Sequence, residues 1–149
     1  MIESNTTKYE SYAEAWRRMN AAIDSGFCLE AIAIQESIIF DRIRSFVEHA
    51  TGEEVKDESP YSKLIKRLEA TLNKDAGKEK RWNNNKELVE RLKKWGDRRN
   101  RAVHRIVRSK PGTPTQPIDE FLAKAQETAD RGAILARDVS DWFREQKKR

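Results

Sequence analysis

The chain has 149 residues, the length of one domain with a single core, and hydrophobic and charged residues each account for 37% of it, as in small helical proteins. No apolar run approaches the ~20 residues needed to cross a bilayer, and the first ten residues lack the apolar core of a signal peptide, so we expect a cytoplasmic protein with no membrane segment. The net charge is +5. We expect no metal or cofactor, because one Cys and two His cannot build a structural zinc site and the sequence has no glycine-rich phosphate loop.

Apolar residues spaced at steps of three and four predict two helices in the first third of the chain. The first spans about residues 9–23 and ends at the turn Asp24-Ser25-Gly26. The second spans about residues 27–50, which is long enough for a central helix, and Thr51-Gly52 ends it. Glu36 interrupts the apolar stripe of this helix, and a carboxylate there needs a cationic partner.

The middle of the chain predicts a third helix followed by a loop. An acidic linker, residues 52–58, leads to Ser59 as the helix cap and Pro60 as the first helical residue. Apolar residues keep helical spacing from there to about residue 72. Residues 74–85 contain many charges and three consecutive asparagines, which predict a surface loop.

The last third predicts two further helices and completes the fold. One pattern spans about residues 86–107, and Gly96-Asp97 either splits it or leaves it continuous. The proline-rich residues 111–117 form a connection to a final helix. That helix has an apolar stripe of Ile118, Phe121, Leu122, Ala125, Ala129, Leu135, Val139, Trp142 and Phe143. We predict an all-α bundle of about five helices, one domain over residues 1–149 with an ordered core of about 9–145.

Residues 95–105 concentrate polar chemistry on a segment that keeps helical apolar spacing. They hold four arginines, Asn100 and His104, one of only two histidines. If the helix is unbroken, its buried stripe consists of Leu88, Leu92, Trp95, Arg99, Val103 and Ile106. An arginine is almost never buried unpaired. The segment therefore indicates a site, or the part of one that a partner chain or a polynucleotide completes, and Glu36 is the predicted partner of Arg99.

The positive charge belongs to one part of the chain. Residues 74–110 hold 14 Lys and Arg against 5 Asp and Glu, a local +9, and the rest of the chain carries −4. A basic face on an otherwise acidic domain is typical of a protein that binds a phosphate backbone. The alternative interpretation is an ordinary solvated helix face rich in lysine and arginine.

The six residues Arg99-Asn100-Arg101-Ala102-Val103-His104 resemble the signature of the HEPN superfamily, an Arg and a polar residue followed by a His in a late helix of an all-helical bundle. The order of helices over about residues 9–145 fits the same family. The resemblance implies a homodimer with facing motifs and, in many members, a metal-independent endoribonuclease of toxin–antitoxin, anti-phage defence or RNA-processing systems. An antitoxin or regulatory protein would then be a partner. In one branch of the superfamily the motif resembles Arg-x4-His-x-Tyr, whereas Ile106 occupies the position of the Tyr in this chain.

These residue types suit RNA cleavage without a metal. The imidazole of His104 can move protons near neutral pH, and the guanidinium of Arg99 can stabilise charge at phosphorus. Asn100 would orient the phosphate or the arginine. Arg99 and His104 lie about 140° apart on an ideal helix, so two copies across a twofold axis can converge where one copy cannot. The predicted contacts to the RNA backbone are Lys94, Arg98, Arg101, Arg105 and Arg108.

Two other functions use the same residues. One is a non-catalytic RNA- or nucleotide-binding module that acts with a partner protein, in which His104 is an inert surface residue. The other is a DNA-binding helical protein, which unlike the enzyme does not need the ribose 2′-hydroxyl. Trp82 is the tryptophan best placed to stack on a base, whereas Trp95 and Trp142 lie on core stripes.

Overall fold

The computed structural model describes the backbone of residues 2–74, 78–104, 111–112 and 117–148, and the side chains of 5–74, 85–104, 111–112 and 117–148. These residues form the helices α1 (Ile2–Asp24), α2 (Cys28–Thr51), α3 (Tyr61–Asn73), α4 (Lys78–His104) and α5 (Ile118–Lys147). No strand occurs among them, which confirms the prediction of an all-α bundle. Within this part of the chain, no helix is both long and apolar enough to cross a membrane.

The second helix, α2, is central because it packs against all four others. α4 packs mainly between α3 and α5, and α1 lies against α2 and α5. α2 and α5 run parallel, since Gln35 bonds to Ala129 near one end while Phe46 packs edge-on against Trp142 nearer the other. Gly52 ends α2 as predicted, with φ +73° and its N–H bonded to Glu48 O.

The fourth helix is continuous, so Gly96-Asp97 does not split it. Gly96 is buried where the Tyr61 ring of α3 lies on α4, and a Cβ at Gly96 would lie 2.6 Å from Tyr61 Cε1. The glycine therefore allows the close approach of α3, and it does not end a helix.

The predicted loop over residues 74–85 is wrong, because α4 begins at Lys78. Asparagine is a poor helix former, but Asn85 is buried and its Oδ1 accepts a hydrogen bond of 2.9 Å from Trp142 Nε1. Tertiary packing outweighs local propensity here. The predicted end of the helix at residue 107 lies outside the described residues.

Two predicted helix starts also differ from the structure. α1 begins at Ile2 and not near residue 9. The prediction missed its first turns because they are polar and show no apolar periodicity. Pro60 occupies the N-cap of α3, not its first helical position, and no side chain caps this helix. The ψ of Pro60 is 145°, so the helix starts at Tyr61, whose buried hydroxyl donates a hydrogen bond of 2.8 Å to Leu92 O.

Apolar residues from all five helices form the core, and Trp95 lies in it as predicted. Three predicted core residues are instead exposed: Ile118 by 54%, Leu122 by 52% and Val103 by 40%. Phe121 marks the inward line of α5, and Ile118 and Leu122 lie about 60° and 100° from it around the helix. They therefore flank the core, and helical spacing alone did not separate the flank from the centre.

A polar joint of Gln35, Trp95 and Gly132 connects α2 and α4 to α5. Gln35 Nε2 donates to Ala129 O at 2.7 Å, and Trp95 Nε1 donates to Thr128 O at 3.1 Å. Gly132 makes room for both, because a Cβ there would lie 1.9 Å from Gln35 Oε1 and 2.8 Å from Trp95 Nε1. The close approach of α2 and α4 to α5 thus depends on a glycine, which has no side chain, at position 132.

We predict that Gly132→Ala lowers the free energy of unfolding by about 3 kcal/mol, although Gly to Ala usually stabilises an exposed helix. The new methyl group displaces Gln35 and Trp95 and leaves their buried N–H groups without acceptors. Urea unfolding measures the change, with Gln126→Ala on the exposed side of α5 as the control. A Gly132→Ala protein as stable as the wild type contradicts this account of the joint.

Candidate active site at the end of α4

Arg99 points inward from α4 and contacts two other helices. Its Nη1 lies 3.4 Å from Glu36 Oε1 of α2, and its guanidinium carbon lies 5.3 Å from the centre of the Tyr61 ring of α3. The Arg99 side chain is 15% exposed and that of Glu36 is 31% exposed. The predicted contact between Glu36 and Arg99 is confirmed. The unbroken course of α4 is what turns Arg99 toward the bundle.

Three other cations of α4 contribute to the packing of the fold. They form three ion pairs with neighbouring helices: Arg91 with Asp138 at 2.7 Å, Lys93 with Glu69 at 2.7 Å and Arg98 with Glu127 at 3.2 Å. Such contacts attach α4 to α3 and α5 and neutralise part of its charge. The face available to an anionic partner is therefore less basic than the sequence suggests.

The predicted RNA contacts fall into three groups. Lys94 and Arg101 are exposed and form no ion pair with any described acidic side chain. Arg98 is half-buried and forms an ion pair with Glu127. Arg105 and Arg108 lie outside the described residues, as does the side chain of Trp82.

The side chains of Asp97, Asn100, Arg101 and His104 form an exposed stripe along the last two turns of α4. Their spacing of three, four and seven residues puts them on one face of the helix. Arg99 lies about 140° from His104 around the helix and ~7.5 Å from it along the axis. The structure thus brings Asn100, Arg101 and His104 to one face, and it does not bring Arg99 to His104 within one chain.

Tyr61 is a neutral hydrogen-bond donor at this site. Burial raises the pKa of its phenol above the ordinary value, the positive charge of Arg99 lowers it in part, and the charge of Glu36 raises it. The phenol therefore stays protonated near neutral pH and keeps its bond to Leu92 O. Its part is to position α4 and to give the guanidinium a ring face to lie on.

Sequence reasoning missed that Tyr61 supports Arg99, because the tyrosine fits a core stripe equally well. One signal was available. Gly96 stands three residues before Arg99 on the same side of the helix, and a glycine inside a helix often marks the close approach of another element. The acids that pair with Arg91, Lys93 and Arg98 gave no comparable signal, since they occupy ordinary surface positions.

Comparison with known proteins assigns no family to the chain. No family model, no curated protein and no solved structure matches it. In the described residues, no group of three or more His, Cys, Asp or Glu side chains is arranged to hold a metal ion.

We predict that Glu36→Ala lowers the free energy of unfolding by about 1–2 kcal/mol, because it leaves a mostly buried guanidinium without a counter-charge. The loss is below the ~3–5 kcal/mol typical of fully buried pairs, since water reaches part of Glu36. Thermal and urea unfolding measure it.

Glu69→Ala is the matched control for that change. Glu69 is also 31% exposed and pairs with a cation of α4, but its partner Lys93 is 41% exposed and can be solvated by water. The control should cost about 0.5 kcal/mol or less. Equal losses in the two variants contradict a special dependence of Arg99 on Glu36.

Proposed function

We propose that the protein is a metal-independent endoribonuclease that uses Arg99, Asn100 and His104 in a cleft between two copies of the chain. The observation that supports it most is the end of α4, which exposes an imidazole beside an amide and a guanidinium that pairs with no described acid. Arg99, with a buried Nε that has no hydrogen-bond partner in the described part of the chain, lies within the same two turns.

The proposed reaction is attack of the ribose 2′-oxygen on the adjacent phosphorus. A 2′,3′-cyclic phosphate forms, the bond from phosphorus to the 5′-oxygen breaks, and the proton of the 2′-hydroxyl is balanced by protonation of the 5′-oxygen. His104 moves a proton in this exchange, as imidazole can near neutral pH. Arg99 stabilises the charge on the phosphoryl oxygens, and Lys94 and Arg101 hold the flanking backbone.

The second copy is needed because Arg99 and His104 of one chain point to different sides of α4. Exposed apolar residues beside the motif support such pairing. Val103 lies in the last turn of α4, and Ile118 and Leu122 lie in the first turns of α5. α4 runs antiparallel to α5, since Arg91 pairs with Asp138 and Arg98 with Glu127. The apolar residues therefore share one end of the bundle.

The resemblance to HEPN proteins extends the proposal to biology. It implies an effector of a toxin–antitoxin or anti-phage defence system that acts on RNA in the cytoplasm. An antitoxin or regulatory protein would then restrain it. Incubation of purified protein with RNA and a chelator tests the activity, and products that end in a 2′,3′-cyclic phosphate support it. An RNA with 2′-deoxyribose at the cleavage position should remain intact.

A non-catalytic RNA-binding module is the second candidate. The observation that favours it is the ion pair between Arg99 and Glu36, which occupies the guanidinium in the single chain. Both candidates bind RNA in a salt-dependent manner. Only the enzyme releases cut RNA in the chelator assay.

We predict that the protein forms a dimer. Leu122→Asp and Val103→Asp should each disrupt it, because each puts a charge into the apolar contact proposed between the two copies. Sedimentation at micromolar concentration should show the wild type as a dimer and both variants as monomers without cleavage. Ile134→Asp is the control, since Ile134 is 56% exposed but lies three turns along α5 from Leu122. A monomeric wild type that cleaves RNA contradicts the two-chain site.

We predict that His104→Ala reduces cleavage by ~10²- to 10⁴-fold and leaves RNA affinity nearly unchanged. Arg101→Ala and Lys94→Ala should weaken binding to all sequences and lower the salt slope by ~0.7 per lost contact. Arg131→Ala removes an exposed arginine of α5 and serves as the charge control. Wild-type cleavage by His104→Ala would assign the activity to another site.

A further inference from the structure

Among the cations of α4 whose ion pairs the structure describes, Arg99 is the most buried and the least satisfied. Its side chain is 15% exposed, against 33–41% for Arg91, Lys93 and Arg98. Its nearest carboxylate oxygen nevertheless lies 3.4 Å away, longer than any of their closest contacts. Its Nε is buried and has no hydrogen-bond partner in the described part of the chain. A buried group of this kind needs an explanation.

The contact between Glu36 and Arg99 is loose. Charge-assisted hydrogen bonds from nitrogen to carboxylate oxygen are usually ~2.7–2.9 Å long, and a fork of two such bonds is common for arginine. Here one Nη1–Oε1 approach of 3.4 Å takes the place of the fork. Glu36 is 31% exposed and forms no ion pair with another described cation, so its carboxylate can turn into water.

We propose that Glu36 is a built-in competitor for the anion that Arg99 binds. The carboxylate neutralises the guanidinium until a phosphate group displaces it and uses the donors that Glu36 leaves unpaired. The identity of that anion as an RNA phosphate rests on the proposed function, whereas the competition does not. Glu36 is thus a regulatory residue that keeps the free protein stable and raises the phosphate concentration needed to occupy Arg99.

Glu36→Gln tests the competition, because it keeps the shape of the side chain and removes its charge. The probe is inorganic phosphate at constant ionic strength, followed through the Nε–H resonance of Arg99, which Arg99→Lys identifies by its absence. Phosphate should shift this resonance in the wild type. In Glu36→Gln the phosphate concentration at the midpoint of this shift should fall about fivefold, as expected for loss of one partly exposed ion pair. Phosphate should also raise the melting temperature of Glu36→Gln more than that of the wild type.

Glu69→Gln is the matched control, since Glu69 has the same 31% exposure and pairs with Lys93 of the same helix. It changes the net charge equally, so its midpoint should stay within about twofold of the wild type. Equal gains in the two variants overturn the proposal, because net charge alone then accounts for them. An Arg99 resonance that phosphate does not move in any variant also overturns it.

Two further measurements test the proposal if the Glu36→Gln protein does not fold. Glu36→Asp keeps the charge but shortens the reach of the carboxylate, so phosphate affinity should rise there too. In the wild type, the carboxyl carbon signal of Glu36 should move with the Arg99 signal as phosphate is added. A Glu36 signal that stays fixed while Arg99 binds phosphate contradicts displacement.

Failure here and failure of the proposed function are distinguishable, because binding of inorganic phosphate is measured without any RNA cleavage. Tighter phosphate binding by Glu36→Gln in a protein that cuts no RNA supports the competition and overturns the endoribonuclease. RNA cleavage together with an unchanged phosphate midpoint supports the endoribonuclease and overturns the competition.

Discussion

The orientation of the candidate site depends on the joint at which Gln35 and Trp95 reach the backbone of α5 over Gly132. Both side chains donate to carbonyls of α5, so they set how closely α2 and α4 approach it. The bond from Trp95 also sets the rotation of α4 about its own axis. In that rotation Arg99 faces α2 and α3 while Asn100 and His104 face solvent. A small residue in one helix thereby decides which charges another helix exposes.

The arginines and lysines in the second half of α4 fall into two groups. Arg91, Lys93 and Arg98 pair with acids of α3 and α5, whereas Lys94 and Arg101 are exposed and pair with no described acid. The local excess of charge in the sequence therefore overstates the charge that an RNA backbone would meet. This ion pairing also explains how a helix with so many cations packs into a bundle, because cations on both of its sides pair with carboxylates of the neighbouring helices.

One contact of the candidate site, between Glu36 and Arg99, could be predicted from the sequence. Arg99 and Glu36 each interrupt an apolar stripe, and two inward-facing opposite charges in a small bundle have few partners other than each other. By contrast, the helix over Asn85 could not be predicted. The asparagines favour a loop locally, and the bond from Trp142 that overrides this preference comes from a residue 57 positions away. The role of Tyr61 beside Arg99 also depends on a contact between residues far apart in the sequence, and Gly96 was its one local signal.

The sequence by itself determined the helical class, the apolar stripes and the pairing of Glu36 with Arg99, because periodicity and the cost of burying charge are local or nearly local properties. Only the tertiary structure decided that α4 continues through Gly96, that Val103, Ile118 and Leu122 stay exposed, and which of the described cations pair with described acids. Each of these depends on what lies opposite a residue in space. Helical spacing specifies the direction of a side chain, but the presence of a neighbour there is a property of the packed bundle.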